Sequence, residues 1–320
     1  MPNPTPSDVH VNRPLTIASV AFIQSASNFI ADRVFPTIPV SKRSDQYFVY
    51  NRGDWFRSQA EERAPGAESA GGGWRVTPAE YAAKRYAFHQ DVDDPTRANT
   101  DDPLSPDQDA VEFVTNQLLL KREALFVAQH FTSSIWTGSS TGADIAVGTT
   151  WDNPASTPIE DLDTQIIAMA EKTGYKPNKL VLGPEVWLKL KNHPDLLERI
   201  KYTQTGIVNT QLLATLLGID EVLVPMATRN TAAELATAVY DFFWGKSALL
   251  VYAAPRPGLK TPSAGYTFAW TGLLGAGAYG ARVKKFRLER NESDRVEAEM
   301  SMALKQVAPE LGVFMPSVVA

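Results

Sequence analysis

The chain has 320 residues, 44% of them apolar and 21% charged, with a formal net charge of −5. That balance belongs to a folded globular protein and excludes disorder throughout, while the acidic total argues against a surface that grips nucleic acid by neutralising phosphates. Cysteine is absent, so neither a disulfide nor a thiolate metal site can form. No apolar run is long enough for a membrane-spanning helix.

The chain opens MPNPTPSDVHVNRPL, proline-rich and without the apolar core of a signal peptide, which predicts a flexible arm over residues 1–14. From Leu15 to Val34 the mixed apolar pattern of Ile17, Val20, Ile23, Phe29 and Ile30 is partly helical in character and needs something to lie against. Phe35–Val40 must be extended, because Pro36 and Pro39 exclude a helix and disfavour a central strand.

Gln46–Tyr50 and Tyr81–Phe88 have strand character, and between them lies a long polar stretch with three consecutive glycines at 71–73. This predicts a protruding hairpin. It carries Trp55, Phe56, Trp74 and Tyr81, apolar surfaces that a lone hairpin cannot bury; they call for a partner, and the simplest is another copy of the chain. Asp91–Pro103 is an acidic linker. Its five aspartates raise a metal site, but no second ligand cluster accompanies them, and acids collect at helix starts in any case.

The longest predicted helix follows at Pro106–Phe131. Ser105 and Gln108 have capping-box spacing, and Pro106 stands at the first helical position, where its missing N–H costs nothing. Phe113, Leu120, Ala124, Val127 and Phe131 recur at helical steps, with Val111, Val114, Leu118 and Leu125 beside them, and this broad apolar stripe is expected to be one wide buried face whose core is the first five. Twenty-six residues make a rod of roughly 39 Å, about a domain's width. A second capping box at Thr157–Glu160 opens a helix that Gly174 stops. Residues 175–255 then read as a compact α/β unit, with strands at 179–182, 221–224, 238–244 and 248–253 and helices after Gly183 and Asn209. Tyr279–Leu288 and Val296–Leu304 alternate as strands, with Val296, Ala298, Met300 and Met302 on one face. The fold class is α+β.

The motifs that would carry chemistry fail in context. Gly275–Gly280 has dinucleotide-loop spacing, but a strand follows where the helix should be. Arg52-Gly53-Asp54 spells an integrin tripeptide that turn chemistry explains as well. His10, His89, His130 and His193 show no metal spacing, and nucleophile elbows and phosphate-cradling Gly-Lys-Ser loops are absent. Lys284, Lys285, Arg287 and Arg290 form a modest basic cluster, read as a solvated or subunit-facing edge. No catalytic, cofactor or metal residue is assigned.

In order and spacing these parts resemble the major capsid proteins of tailed double-stranded DNA phages, with the Hong Kong 97 phage-type fold, closest to the lambda-like major capsid protein E family. YFVYNRGDWFR (47–57), ERAPGAESAGGGW (62–74), YAAKRYAFHQDVDD (81–94), FVTNQLLLKRE (113–123) and VLGPEVWLKLKNHPDLLERI (181–200) carry the likeness.

The resemblance implies an N-arm (1–46) and an E-loop hairpin (47–90). It implies a peripheral domain (91–174 and 276–320) with spine helix 106–131, and an axial domain (175–275). It makes Trp55, Phe56, Arg57, Arg63, Trp74 and Tyr81 contacts between subunits of a shell of hexamers and pentamers. It implies a virion protein and not an enzyme, assembled in the host cytoplasm with a separate scaffolding protein, a portal and a decoration protein, enclosing DNA without reading its sequence and touching no membrane. Some members of the fold weld subunits through an E-loop lysine, and this chain has no lysine between Asn51 and Ala83. An encapsulin-type compartment is the alternative within the fold. A soluble α/β enzyme with a lid at 51–80 is the remoter one.

Overall fold

In the computed structural model, residues 24–100, 104–200, 208–258, 260–272, 277 and 280–320 are described. The predicted arm at 1–14, the first part of the 15–34 segment, Asp101 and Asp102, and most of the Gly275–Gly280 motif lie outside them.

Among the described residues, a 3-10 turn at Ala26–Asn28 precedes a one-turn helix, α1 (Ala31–Val34), and an extended strand, β1 (Thr37–Val40). A hairpin follows: β2 (Ser44–Tyr50), a helical turn α2 (Arg52–Trp55) and β3 (Val76–Ala82). β4 (Lys84–Asp93) and the short α3 (Asp94–Ala98) lead into the long helix α4 (Pro106–His130). After it come α5 (Pro158–Thr173), β5 (Lys179–Leu182), α6 (Pro184–Leu190), α7 (Pro194–Ile200) and α8 (Thr210–Leu217). Strands β6 (Glu221–Leu223), β7 (Thr228–Asn230), β8 (Tyr240–Phe242), β9 (Ala248–Val251), β10 (Gly265–Trp270), β11 (Ala281–Leu288), β12 (Ser293–Gln306) and β13 (Gly312–Met315) complete the chain.

Two sheets organise these elements. The first has the order β1-β10-β12-β11, with β4 also paired to β12. β12 places Val296, Ala298, Met300 and Met302 against Ala110, Val114 and Leu118 of α4, so the predicted alternation does face the long helix. The second has the order β13-β9-β5-β6 and is covered on both sides. Leu180, Leu182, Ala248, Leu250, Val313 and Met315 point to α5, α6 and α8. Their alternate neighbours Val181, Leu249, Val251 and Phe314 point to the C-terminal half of α4 and to residues 29–35. Period-two alternation with apolar residues on both faces is what a doubly covered sheet requires.

The long helix therefore serves two layers, and this corrects its expected core face. Ala110, Val114 and Leu118 lie on one side, while Phe126 and His130 are buried on another. At 100° per residue the buried face swings by roughly 150° along the rod. A single stripe cannot describe such a helix. Phe113 stays 37% exposed beside Phe88. Leu120, Ala124 and Val127 sit half-buried on the rim of the second layer, and Phe131 is buried. The capping boxes are also corrected. The side chains of Ser105 and Thr157 make no cap bond, although both residues stand at the N-cap with proline next. Asp107 of that first turn is instead engaged by Arg97 and Lys285, and Glu160 by Arg199.

The expected domain boundaries shift for the same reason, since strand pairing ignores chain order. Residues 29–35, assigned to the arm, are core of their own subunit, and β1 pairs in parallel with β10. Hairpin pairing ends at Ser44↔Ala82, and from Lys84 onward the chain belongs to the first sheet. β10, assigned to the axial part, also sits in the first sheet, whereas α5 and β13, assigned to the peripheral part, pack in the α/β unit.

Candidate assembly surfaces

The hairpin is a two-stranded ribbon running from Ser44↔Ala82 to Tyr50↔Val76. Beyond it the Asn51 side chain accepts from the Gly53 amide at 2.9 Å and starts α2. That turn presents Asp54, which accepts from both the backbone amide and the guanidinium of Arg75, each at 3.0 Å. Hydrogen bonds from the Arg75 side chain and then its amide hold the Asp54 carboxyl below its usual range. The pair ties the two sides of the loop together, and the rings follow. Trp55 and Trp74 lie 5.7 Å apart, with Tyr50 6.1 Å from Trp55. Much of this aromatic surface remains exposed, with Trp55 at 55%, Phe56 at 59% and Trp74 at 62%, although the edge of the Phe56 ring reaches Gly174 of its own chain. The integrin tripeptide also loses its acid, because Asp54 is occupied by Arg75.

Of the other predicted interface residues, Arg57 and Arg63 are exposed on the loop, and Arg63 donates to the Ala67 carbonyl. Tyr81 is a correction. It is buried, stacked on Phe268 at 4.5 Å, with its hydroxyl donating to the Lys42 carbonyl. It sits where β3 crosses β10, so it roots the hairpin in its own subunit.

Charge on the first sheet is almost wholly internal. Glu299 has no exposed side-chain surface and accepts from Lys284 and Arg282 at 2.7 Å each, and from Arg85. Burial pushes its carboxyl up, but hydrogen bonds from Lys284, Arg282 and Arg85 outweigh that and hold it well below the ordinary range. The basic cluster read in the sequence divides between the two faces of β11. Lys284 turns to Glu297 and Glu299, while Lys285 and Arg287 turn to Asp94, Asp107 and Asp294. With Lys284, Lys285 and Arg287 each matched by a carboxylate, little of the strand's charge remains to attract phosphate. Of the three linker aspartates that are described, Asp91 and Asp94 are held by Arg295 and Arg287, and Asp93 accepts from the Thr96 hydroxyl. No cluster of metal-ligating side chains occurs among the described residues.

One pairing invisible in the sequence tests the enzyme reading. Ser156 Oγ lies 3.1 Å from His193 Nε2, and both residues are buried. His193 Nδ1 accepts the Asp195 amide, which leaves the proton on Nε2, and the serine hydroxyl donates to the Asn153 carbonyl. A general base needs Nε2 free to take the serine proton. Here Nε2 donates, so the pair braces the loop before α5.

Sequence reasoning also missed Glu123. In the run Lys121-Arg122-Glu123 it reads as a solvated charge, yet it is fully buried. Its spacing of three before Phe126 and seven before His130 was the available signal.

Comparison with known proteins finds similarity to phage capsid proteins. A model of the family described as phage major capsid protein E matches residues 139–224. The major capsid protein of Pseudomonas phage JBD67 is 25% identical over 312 residues, spanning 95% of this chain and 96% of its own. That of Burkholderia phage BcepMu is 24% identical over 259 residues, 78% of this chain and 81% of its own. The chain is similar to the major capsid proteins of these phages over most of its length.

Solved structures show that it has the phage capsid fold. A phage-related protein of Bordetella bronchiseptica superposes with a TM-score of 0.67 at 20% identity, covering 92% of this chain and 94% of that one. The mature capsid of bacteriophage PhiM1 gives 0.61 at 12% identity, covering 96% and 92%. An encapsulin of Synechococcus elongatus gives a lower 0.54 at 13% identity, covering 95% and 92%.

Proposed function

We propose that this chain is the major capsid protein of a tailed phage, the structural subunit whose copies close into the icosahedral head around double-stranded DNA. One observation carries the reading physically: a two-stranded hairpin leaves Trp55, Phe56 and Trp74 each more than half exposed. A ribbon of two strands has no third layer to cover them, and an apolar platform of this kind is what a second subunit buries. Repeated contacts of this head-to-tail type close into rings when the rotation allows.

In this reading residues 44–82 form the E-loop, α4 and the first sheet form the peripheral part, and the second sheet with α5–α8 forms the axial part. Assembly takes place in the host cytoplasm, with a scaffolding protein, a portal and a decoration protein as partners. The chain acts by packing and not by catalysis. Matched charges on β11 and an overall charge of −5 suit a wall against which DNA is spooled and released. The encapsulin alternative is favoured only by the fold, and both curated relatives named above are phage capsid proteins. The test is negative-stain microscopy of the purified protein and of co-expressed lysates. Closed shells are expected, and uniform small particles under every assembly condition would defeat the proposal.

A further inference from the structure

Residues 24–35 cross the molecule like a strap, and the structure shows what fastens them. Gln24 pairs with the Thr228 backbone, donating to its carbonyl at 2.7 Å and accepting its amide at 3.0 Å. Farther along, Lys179 Nζ donates to the Arg33 carbonyl at 2.6 Å, and Arg33 pairs with Glu221. Those partners all belong to the α/β side. Arg122 of α4 approaches Asp32 at 3.6 Å from the other side. Phe29, Ile30, Ala31, Val34 and Phe35 fill the core between α4 and the second sheet.

Glu123 stands at the centre of that junction. One carboxylate oxygen accepts from the Ile30 amide at 3.1 Å and from the Trp244 indole at 2.8 Å, and the other accepts from the Ala31 amide at 3.2 Å. Ile30 is the N-cap of α1 and offers no side-chain cap of its own. The carboxylate from α4 therefore supplies the cap that the strap lacks. Its three donors come from two bodies, the strap and the α/β unit, while the acceptor belongs to the helix that carries the first sheet. A buried carboxylate with one acceptor set and three fixed donors defines a narrow geometry, whereas the surrounding aliphatic and aromatic contacts tolerate sliding.

We propose that Glu123 is a positioning residue for assembly: it locks the strap, and through it the angle between the two layers of the subunit, and so fixes the curvature at which the shell closes. The inference rests on the capsid reading. If copies pack side by side on both layers, as that reading requires, an angular error at this junction repeats at every contact, and a ring closes only at the right rotation.

The experiment compares wild type, Glu123→Gln and Trp244→Phe, each as the full chain. Amide exchange at residues 30–31 is read against global melting, and particle diameter is read by electron microscopy. Glu123→Gln turns an acceptor oxygen into a donor facing an amide. Exchange at Ile30 and Ala31 should rise at least about tenfold while the global transition persists, and particles should spread in diameter or open into sheets and tubes. Trp244→Phe removes one donor and leaves the carboxylate, and it should give the same defects more weakly. Wild-type diameters with a loosened strap, an unchanged strap, or two variants that do not fold would each overturn the proposal. A wild-type protein that forms no shells would instead defeat the capsid reading, whatever the strap does.

Discussion

His130 should make the subunit sensitive to acid, and the size of the effect follows from its surroundings. It ends the long helix, buried against Phe35 at 4.7 Å and Phe126 at 5.4 Å, and among the described residues neither ring nitrogen meets a partner in good hydrogen-bond geometry. Burial is the main reason its pKa falls from 6.5 to about 4; the Leu304 carbonyl nearby works the other way, and Lys305 adds a little to the fall. The unfolded chain therefore takes up a proton near pH 6.5 that the folded chain refuses until about pH 4. Stability is full above the unfolded value and is lost as pH drops through that window. At 1.36 kcal/mol per unit, lowering the pH from about 7.5 to about 5 should remove about 2 kcal/mol, and the whole window about 3 kcal/mol. Glu123, whose carboxyl burial pushes up, contributes in the opposite sense, because its folded form holds a proton more readily than its unfolded form. A difference measurement cancels that term. Urea titrations of wild type and His130→Leu across this range should show the wild type losing about 2 kcal/mol more than the variant by about pH 5. Parallel profiles would refute the burial argument.

Other outcomes follow from the same coordinates. Val114→Asp places an unpaired carboxylate between α4 and β12 and should cost several kcal/mol, enough to abolish soluble protein; Phe113→Asp on the exposed flank should fold, and equal melting temperatures for the two would show that the helix face is misassigned. Trp55→Ala and Trp74→Ala should leave the subunit's melting within a few degrees of wild type, since surface substitutions cost about 0.5 kcal/mol or less, while reducing shell yield by light scattering; normal yield in the double variant would remove the hairpin from the interface. Mature particles boiled in detergent should run near the 35.1 kDa chain, because the hairpin lacks lysine and Lys84 begins a strand of the body; a ladder of multiples would point to that lysine.

What the sequence determined by itself was mostly local. Gly174 and Gly218 end their helices in the left-handed conformation, at φ 73° and 60°, and a glycine can adopt that at no steric cost. Asn209 caps α8 as its position implied, and prolines opened α4 and α5. The hairpin was legible because strand patterns flanked a polar middle, and the exposure of Trp55, Phe56 and Trp74 followed from a ribbon too thin to cover them. Ordered together, these parts were enough to suggest the capsid fold.

The tertiary structure alone decided everything that depends on which layer lies against which side. α4 buries one side on the first sheet and another on the strap, so Val114 is core and Phe113 is not. Tyr81 is buried because β3 crosses β10, a contact between residues far apart in the chain. Glu123 and His130 read as ordinary polar positions until the strap and Trp244 close over them. Side-chain periodicity reports how a segment alternates between two environments; it cannot report a helix whose environment changes along its length, and there the long-range contacts decide.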